Sequence, residues 1–228
     1  MAPDAWLFSR LIMKSGNYRV VIAIILLIVL LPTASYFFLR SGVKARDFRR
    51  VKPFTYESKD GDTVHAVFTD QRGDSLRDED FANQVILASF LYYHCDRFTY
   101  CDSIPFYFSR IQDSMKGAAD FQMLTYTIDP DRDSLPILKD WANTWNANPD
   151  IWHFVRGDRY TTHQIILGEY FGKIKYAEGD LKYMKPDEKV VLIGSDGLIL
   201  GYYALYNEKD MTDLLKAMRQ SLGSGENH

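Results

Sequence analysis

The sequence has few of the residues that mark unusual classes of chain. Of its 228 residues only 2 are Cys, 8 are Pro and 14 are Gly, whereas 46% are hydrophobic. So few cysteines exclude a disulfide-dense scaffold, and so little Pro and Gly exclude a collagen-like or disordered chain. The sequence also lacks phosphate-loop, dinucleotide-loop, zinc-protease and α/β-hydrolase motifs, so no local pattern indicates those enzymes.

The net charge is also small, at −3, but it is unevenly distributed along the chain. Residues 1–50 hold 8 of the 27 Lys and Arg and 2 of the 30 Asp and Glu, which leaves 19 basic and 28 acidic residues beyond them. The first part is therefore basic and the rest is acidic. An acidic body argues against nucleic acid as a partner.

The basic part contains a long uncharged run. Residues 20–39 (VVIAIILLIVLLPTASYFFL) lie between Arg19 and Arg40 without a charge. A helix of this length, at about 1.5 Å per residue, spans a hydrocarbon core of about 30 Å, and the run is longer than the core of a cleaved signal peptide. We interpret the chain as a short N-terminal segment (1–19), a transmembrane anchor (20–39), a basic juxtamembrane linker (40–59), a folded domain (60–222) and a flexible tail (223–228).

The folded domain is predicted to alternate strands and helices. Residues 85–93 (VILASFLYY) form an almost uninterrupted apolar run, which is typical of a strand buried on both faces. Residues 190–193 and 198–203 predict a hairpin around Ser195-Asp196-Gly197. The other predicted elements are strands at 65–70, 121–128 and 152–155 and helices at 105–115, 134–145, 161–171 and 210–222. This order predicts an α/β fold with a mixed sheet flanked by helices, compatible with a thioredoxin-like sandwich.

Both cysteines directly follow the predicted buried strand. Cys95 and Cys101 are six positions apart at a strand-to-helix turn, where α/β proteins place reactive groups. A thiol near a helix N-terminus has its thiolate stabilised by the helix dipole. The spacing allows a small disulfide or a soft-metal chelate such as Cu(I), and it also allows two buried apolar cysteines. These alternatives stay open on spacing alone.

Five stretches of the chain resemble the Sco/SenC family, in sequence and in order. They are residues 68–81 (FTDQRGDSLRDEDF), 85–95 (VILASFLYYHC), 127–135 (TIDPDRDSL), 152–158 (WHFVRGD) and 192–197 (LIGSDG). The most specific parts are I-D-P-D-R-D and W-H-F-x-x-G. The resemblance covers residues about 60 to 220. It implies a membrane-anchored thioredoxin-like protein that delivers copper to, or reduces the cysteines of, the binuclear copper centre of cytochrome c oxidase.

The family resemblance also implies a copper site of two thiolates and one imidazole. The cysteines are expected in a C-x-x-x-C-P motif, and the histidine in a loop before the last hairpin. This sequence departs at each point, because the cysteines form C-x5-C, Asp102 follows Cys101, and the loop 183–189 (YMKPDEK) has no histidine.

The candidate metal ligands are therefore Cys95, Cys101 and Met184, the last because it lies near the missing histidine and a thioether suits Cu(I). His94 and His163 are more remote candidates, since an ordinary strand-end residue and an ordinary helix-surface residue explain them as well. Copper is the one cofactor that these residues suggest.

Two further groups near these motifs have a structural and a functional interpretation. Alternating carboxylates at Asp129, Asp131 and Asp133 suggest Ca²⁺, but a turn followed by a helix start explains them without a metal. Aromatic residues cluster around the cysteines and serve either as core or as a surface for docking a partner. They are Tyr92, Tyr93, Phe98, Tyr100, Phe106, Tyr107 and Phe108.

Three functions are compatible with this sequence. The first is thiol-disulfide exchange by Cys95 and Cys101 in oxidase maturation, with a cytochrome c oxidase subunit or another thiol protein as partner. The second is a copper chaperone with altered ligands, and the third is a redox-silent module that keeps the fold to bind a partner.

Two arguments disagree about the side of the membrane on which the folded domain lies. Three Lys and Arg precede residues 20–39 and five follow within residues 40–50, which by the positive-inside rule places the domain in the cytoplasm. The resemblance implies the extracytoplasmic, periplasmic-type side. We favour the latter, because long domains translocate largely regardless of charge.

Overall fold

The computed structural model describes residues 27–33, 50–93, 95, 99–170, 175–177, 180–185 and 188–223. The chain divides into two compact units, Met1–Arg46 and Asp47–His228. In the first unit, residues 27–33 are helical. Within the described ranges no helix is both long enough and apolar enough to cross a membrane, and most of the predicted span, residues 20–26 and 34–39, lies outside them.

The described part of the second unit contains a five-stranded sheet and three small hairpins. Its strands are β1 (Thr55–Glu57), β2 (Thr63–His65), β3 (Phe68–Thr69), β4 (Ser75–Leu76), β5 (Val85–Leu91), β6 (Phe121–Thr127), β7 (Trp152–Val155), β8 (Lys175–Ala177), β9 (Asp180–Lys185), β10 (Val190–Ile193) and β11 (Ile199–Tyr203). Its helices are α1 (Thr99–Ser114), α2 (Leu135–Thr144), α3 (Arg159–Gln164) and α4 (Glu208–Gly223), with a 3-10 turn at Asp78–Phe81 and a π turn at Ile165–Glu169 that continues α3.

The central sheet has the strand order β11-β10-β5-β6-β7. Strands β5, β6 and β7 are parallel, and β10 is antiparallel to both β5 and β11. All seven residues of β5 are buried, as expected for a central strand covered on both faces. Helix α4 packs against β5 and β11, and α2 packs against β7. The carboxyl ends of β5, β6 and β7 therefore share one edge, from which the chain enters α1, α2 and α3.

The D-Q-R-G turn between β3 and β4 protects the edge of the sheet at β7. The Gln71 side chain donates to the carbonyl of Trp152 at 2.8 Å and accepts from the amide of Phe154 at 2.8 Å. β7 is the edge strand of the described five-stranded sheet, so its outer backbone groups lack a partner within that sheet. Gln71 pairs two of them, the carbonyl of Trp152 and the amide of Phe154. Gly157, just after β7, is needed for the same packing, because a Cβ there would lie 2.8 Å from the ring of Phe68.

The expected α/β architecture, a mixed sheet with flanking helices, is confirmed. Two local predictions were wrong. The strand expected at 65–70 is split between β2 and β3, because the chain changes partners there: β2 pairs with β1 and β3 with β4. The loop expected at 183–189 is instead occupied in part by β9, which pairs with β8, so Met184 lies in a strand opposite Tyr176.

Candidate functional site

The cysteine pair lies where β5 leads into α1. Cys95 is in the connecting segment, and Cys101 is in the first turn of the helix. A disulfide joins them with a Cα–Cα distance of 5.7 Å, a separation that this bond spans readily. The two residues are 4% and 6% exposed, so the bond is almost completely covered. Of the alternatives left open by the spacing, the structure shows the disulfide.

Helix α1 begins six residues before the predicted start at residue 105, so Cys101 is in the helix and not ahead of it. The amide groups of this first turn favour negative charge, and exposed Asp102 lies there. Pro105 lacks an N–H and cannot donate to the carbonyl of Cys101 four residues earlier. The first turn therefore has one helical hydrogen bond fewer, and the disulfide links it covalently to Cys95.

Tyr93 connects the end of β5 to the segment that follows β6 and contains α2. Its amide donates to Oδ2 of Asp133 at 3.2 Å, and its hydroxyl donates to Asp140 at 2.6 Å. The hydrogen bond to Asp140 raises the pKa of the Tyr93 hydroxyl, with added contributions from burial and from the Asp140 charge. Asp133 also accepts from Oγ1 of Thr127. The sequence places Asp133 in a turn or a Ca²⁺ loop and does not predict this contact; the one signal for it is the parallel pairing of β5 and β6, whose ends lie side by side.

Two carboxylates of the I-D-P-D-R-D turn, those of Asp129 and Asp131, pair with arginines. Asp129 is 1% exposed and accepts from Arg132 and from Arg159, the latter at 2.9 Å. Arg159 also pairs with Asp131 at 2.8 Å. These pairs tie the turn after β6 to the start of α3, which explains the motif as a structural network in place of a Ca²⁺ site.

The W-H-F run is also structural. The indole N–H of Trp152 donates to Oγ1 of Thr125 at 2.9 Å. His153 lies between Asp70, 3.4 Å from Nδ1, and Gln122, 3.1 Å from Nε2. Burial lowers the pKa of His153 below its usual value and outweighs the opposing attraction of Asp70. The imidazole is therefore neutral at pH 7.

The remaining candidate ligands do not assemble a metal site around the cysteines in the described part of the chain. His163 is 8% exposed, and its Nε2 lies 2.8 Å from the carbonyl of Ile128, which makes it a packed core residue. His94 and the side chain of Met184 lie outside the described residues. Among the described residues no group of three or more His, Cys, Asp or Glu is arranged to hold a metal ion.

The aromatic cluster divides between core and surface. Tyr92 and Phe108 are 3% and 0% exposed and belong to the core. Tyr93 and Tyr107 are half-buried, whereas Phe106 is 49% exposed and lies under the guanidinium of Arg110, 5.9 Å from the ring centroid. Phe98 and the side chain of Tyr100 lie outside the described residues. Of the described members, Phe106 is the one that offers an apolar surface to a partner.

Comparison with protein families gives one result over most of the domain. Residues 57–222 match the sequence model of the SCO1/SenC family. A curated protein of Bacillus subtilis (strain 168), the SCO1 protein homolog, is 24% identical over 173 residues, which is 75% of this chain and 82% of that protein.

Solved structures show the same fold. A SCO1/SenC family lipoprotein from Bacillus anthracis str. Ames superposes with a TM-score of 0.62 at 18% identity, over 77% of this chain and 98% of that one. BsSco, described as a member of the Sco family of cytochrome c oxidase assembly proteins with a disulfide switch, gives 0.57 at 20% identity, over 77% and 96%. Bradyrhizobium japonicum ScoI with copper bound gives 0.55 at 22% identity, over 67% and 96%.

Proposed function

The chain belongs to the SCO1/SenC family, and on that premise we propose that it performs thiol-disulfide exchange in the maturation of the copper centre of cytochrome c oxidase. The observation that carries the proposal is the disulfide between Cys95 and Cys101 at the start of α1. BsSco, a related protein of the same fold, is described as an oxidase assembly protein with a disulfide switch, which supports the same chemistry.

The proposed reaction conserves electrons and protons. With the pair reduced, one cysteine thiolate attacks a disulfide of the partner, forms a mixed disulfide and releases one partner thiol. The other cysteine then attacks the mixed disulfide, which closes the Cys95–Cys101 bond and releases the second partner thiol. Two electrons pass to the partner, whose cysteines become able to bind copper. An external dithiol, itself oxidised to a disulfide, must then re-reduce the pair, and because the closed bond is almost covered this requires local opening of the segment around it.

The exchange reaction is tested with the full-length chain in detergent. The reduced protein is mixed with a disulfide-bonded peptide that carries two cysteines, and alkylation with mass spectrometry counts the thiols on both molecules. We expect equal amounts of peptide reduction and Cys95–Cys101 oxidation. One of the two single variants, Cys95→Ser or Cys101→Ser, lacks the cysteine that attacks the mixed disulfide in the second step, and that variant should accumulate the mixed disulfide with the peptide. Absence of any exchange, together with full biological activity of the Cys95→Ser/Cys101→Ser protein, would leave the redox-silent binding module as the function.

We also propose that residues 20–39 anchor the chain in a membrane with the domain on the extracytoplasmic side. The uncharged run between Arg19 and Arg40 supports the anchor, and the related Bacillus anthracis protein is described as a lipoprotein, a class held at membranes. Disulfides persist in extracytoplasmic compartments, which supports the orientation. Added protease should digest the domain once any outer membrane is permeabilised; digestion only after the inner membrane is opened contradicts the orientation.

A second candidate function, delivery of copper as cargo, is favoured by a specific comparison. Bradyrhizobium japonicum ScoI, of the same fold, has a structure with copper bound. In this chain, reduction of the disulfide would supply two thiolates, which select Cu(I), while the loop 183–189 supplies no imidazole. Titration of the reduced protein with Cu(I) against a competing chelator tests this, with Met184→Ala as the ligand variant. Binding that is lost in Cys95→Ser/Cys101→Ser supports delivery, and no binding to the unaltered protein excludes it.

A further inference from the structure

We propose that Asp133 is a positioning residue for the cysteine pair: it acts through the backbone of Tyr93 to hold Cys95 within bonding distance of Cys101. The proposal rests on the proposed function, because it concerns the redox equilibrium of that pair. It assigns to the last carboxylate of the I-D-P-D-R-D turn a task that differs from the arginine pairing of Asp129.

Asp133 ties the ends of two parallel strands together. It is 1% exposed and lies in the turn between β6 and α2. Its Oδ2 accepts from the amide of Tyr93 at 3.2 Å and also from the hydroxyl of Thr127, the last residue of β6. Burial strengthens these hydrogen bonds, because the low local dielectric screens them less than water does. Oδ2 of Asp133 thus bridges the exits of β5 and β6, beside the backbone hydrogen bond that the amide of Ile128 donates to the carbonyl of Leu91 at 2.7 Å.

The side chain of Tyr93 makes a second attachment to the same crossover. Its hydroxyl donates to Asp140 of α2 at 2.6 Å, and its ring packs edge-on against Trp141 with centroids 6.0 Å apart. The residue is therefore held at its amide, its ring and its hydroxyl by the β6–α2 crossover. Cys95 follows two residues later, so its Cα cannot lie more than about 7 Å from the Cα of Tyr93.

This attachment affects the equilibrium between dithiol and disulfide. Helix α1 fixes Cys101, and the attachment of Tyr93 fixes the strand end that leads to Cys95, with the two Cα atoms 5.7 Å apart. When the fold already holds the two thiols close together, the effective concentration of one thiol at the other is high. Forming the disulfide then costs less conformational entropy. Release of the Tyr93 amide lets Cys95 move away in the reduced state, which lowers that concentration and favours the dithiol.

The test measures this equilibrium directly. The full-length protein in detergent is equilibrated with mixtures of reduced and oxidised dithiothreitol, and the oxidised fraction is counted by alkylation and mass spectrometry. Asp133→Ala should lower the equilibrium constant for disulfide formation about tenfold, which corresponds to about 30 mV towards easier reduction. Asp133→Asn should remain within about threefold of the unaltered protein, because one amide oxygen can accept both bonds that now end on Oδ2.

Two further variants separate positioning from general stability. Tyr93→Phe removes the hydroxyl that donates to Asp140 and keeps the backbone amide, so it should shift the equilibrium in the same direction by a smaller factor. Asp70→Ala is the matched control, because Asp70 is also buried and accepts from two backbone amides, those of Arg72 and Asp74, but in the β3–β4 turn. It should destabilise the fold and leave the redox equilibrium unchanged.

The possible results lead to different conclusions. An equal shift in Asp70→Ala and Asp133→Ala, or no shift in Asp133→Ala, overturns the positioning role while the proposed exchange function stands. If Asp133→Ala does not fold, the absence of a shift in Tyr93→Phe overturns it instead. An unaltered protein that never forms the bond reversibly refutes the proposed function itself.

Discussion

Opening the Cys95–Cys101 disulfide should weaken the fold only slightly. The bond joins residues separated by 6 positions. The chain-entropy relation for so short a loop gives a loss of about 2 kcal/mol in the free energy of unfolding at 25 °C. Two buried thiols behave as small apolar groups, so the reduced pair adds little further cost. Domains of this kind have about 5–15 kcal/mol of stability, so the reduced form stays folded, as an exchange cycle requires.

The measurements are urea unfolding and thermal unfolding of the full-length protein in detergent, both followed by the fluorescence of buried Trp152 and Trp141. Reduction should lower the free energy of unfolding by about 2 kcal/mol and the midpoint temperature by about 4–8 °C. Cys95→Ala/Cys101→Ala is the control and should not respond to the reductant. Unfolding of the domain on reduction, or a response of that control, would refute the reasoning.

Three other predictions concern the structure around the site. Gly157→Ala should destabilise the fold by about 1–3 kcal/mol in thermal unfolding, because its Cβ would lie 2.8 Å from Phe68, whereas Gly168→Ala, with nothing within 4 Å, should not. Gln71→Ala should cost about 2 kcal/mol or more, since it leaves an amide and a carbonyl of β7 without their partner; a cost below about 0.5 kcal/mol contradicts that role. Burial lowers the pKa of His153 in the folded protein. The contribution of the neutral imidazole to the free energy of unfolding should therefore be fully present above the unfolded pKa of about 6.5, and it should fall as the pH drops through that value towards the folded pKa. His153→Gln should lose this part of the pH dependence.

Strands and helices with strong periodicity could be predicted from sequence to within a few residues. The run 152–155 is β7 without change, and 85–93 differs from β5 only at its end. Burial on both faces demands continuous apolar residues, so the local pattern reports it directly. Strand β5 ends at Leu91 because the amide of Tyr93 turns to Asp133, a partner 40 residues away that the local pattern does not report.

The start of α1 and the β8–β9 hairpin could not be predicted for a related reason. Pro105 marks a favourable helix start in a local reading, but a disulfide to Cys95 adds a further turn ahead of it. The β8–β9 pair forms a separate two-stranded sheet, and its charged residues resemble those of a loop. In both cases the deciding contact is close in sequence, but neither helix nor strand periodicity indicates it.

By itself the sequence determined the family, the α/β architecture and the position of both cysteines after a buried strand, because motifs and hydrophobic period are local properties of the chain. Only the tertiary structure decided that Cys95 and Cys101 are bonded, that arginines hold Asp129, and that Asp133 reaches the amide of Tyr93. The contact of Asp133 with Tyr93 depends on the parallel register of β5 with β6, and that of Asp129 with Arg159 on the register of β6 with β7, because parallel pairing brings strand ends to one edge of the sheet.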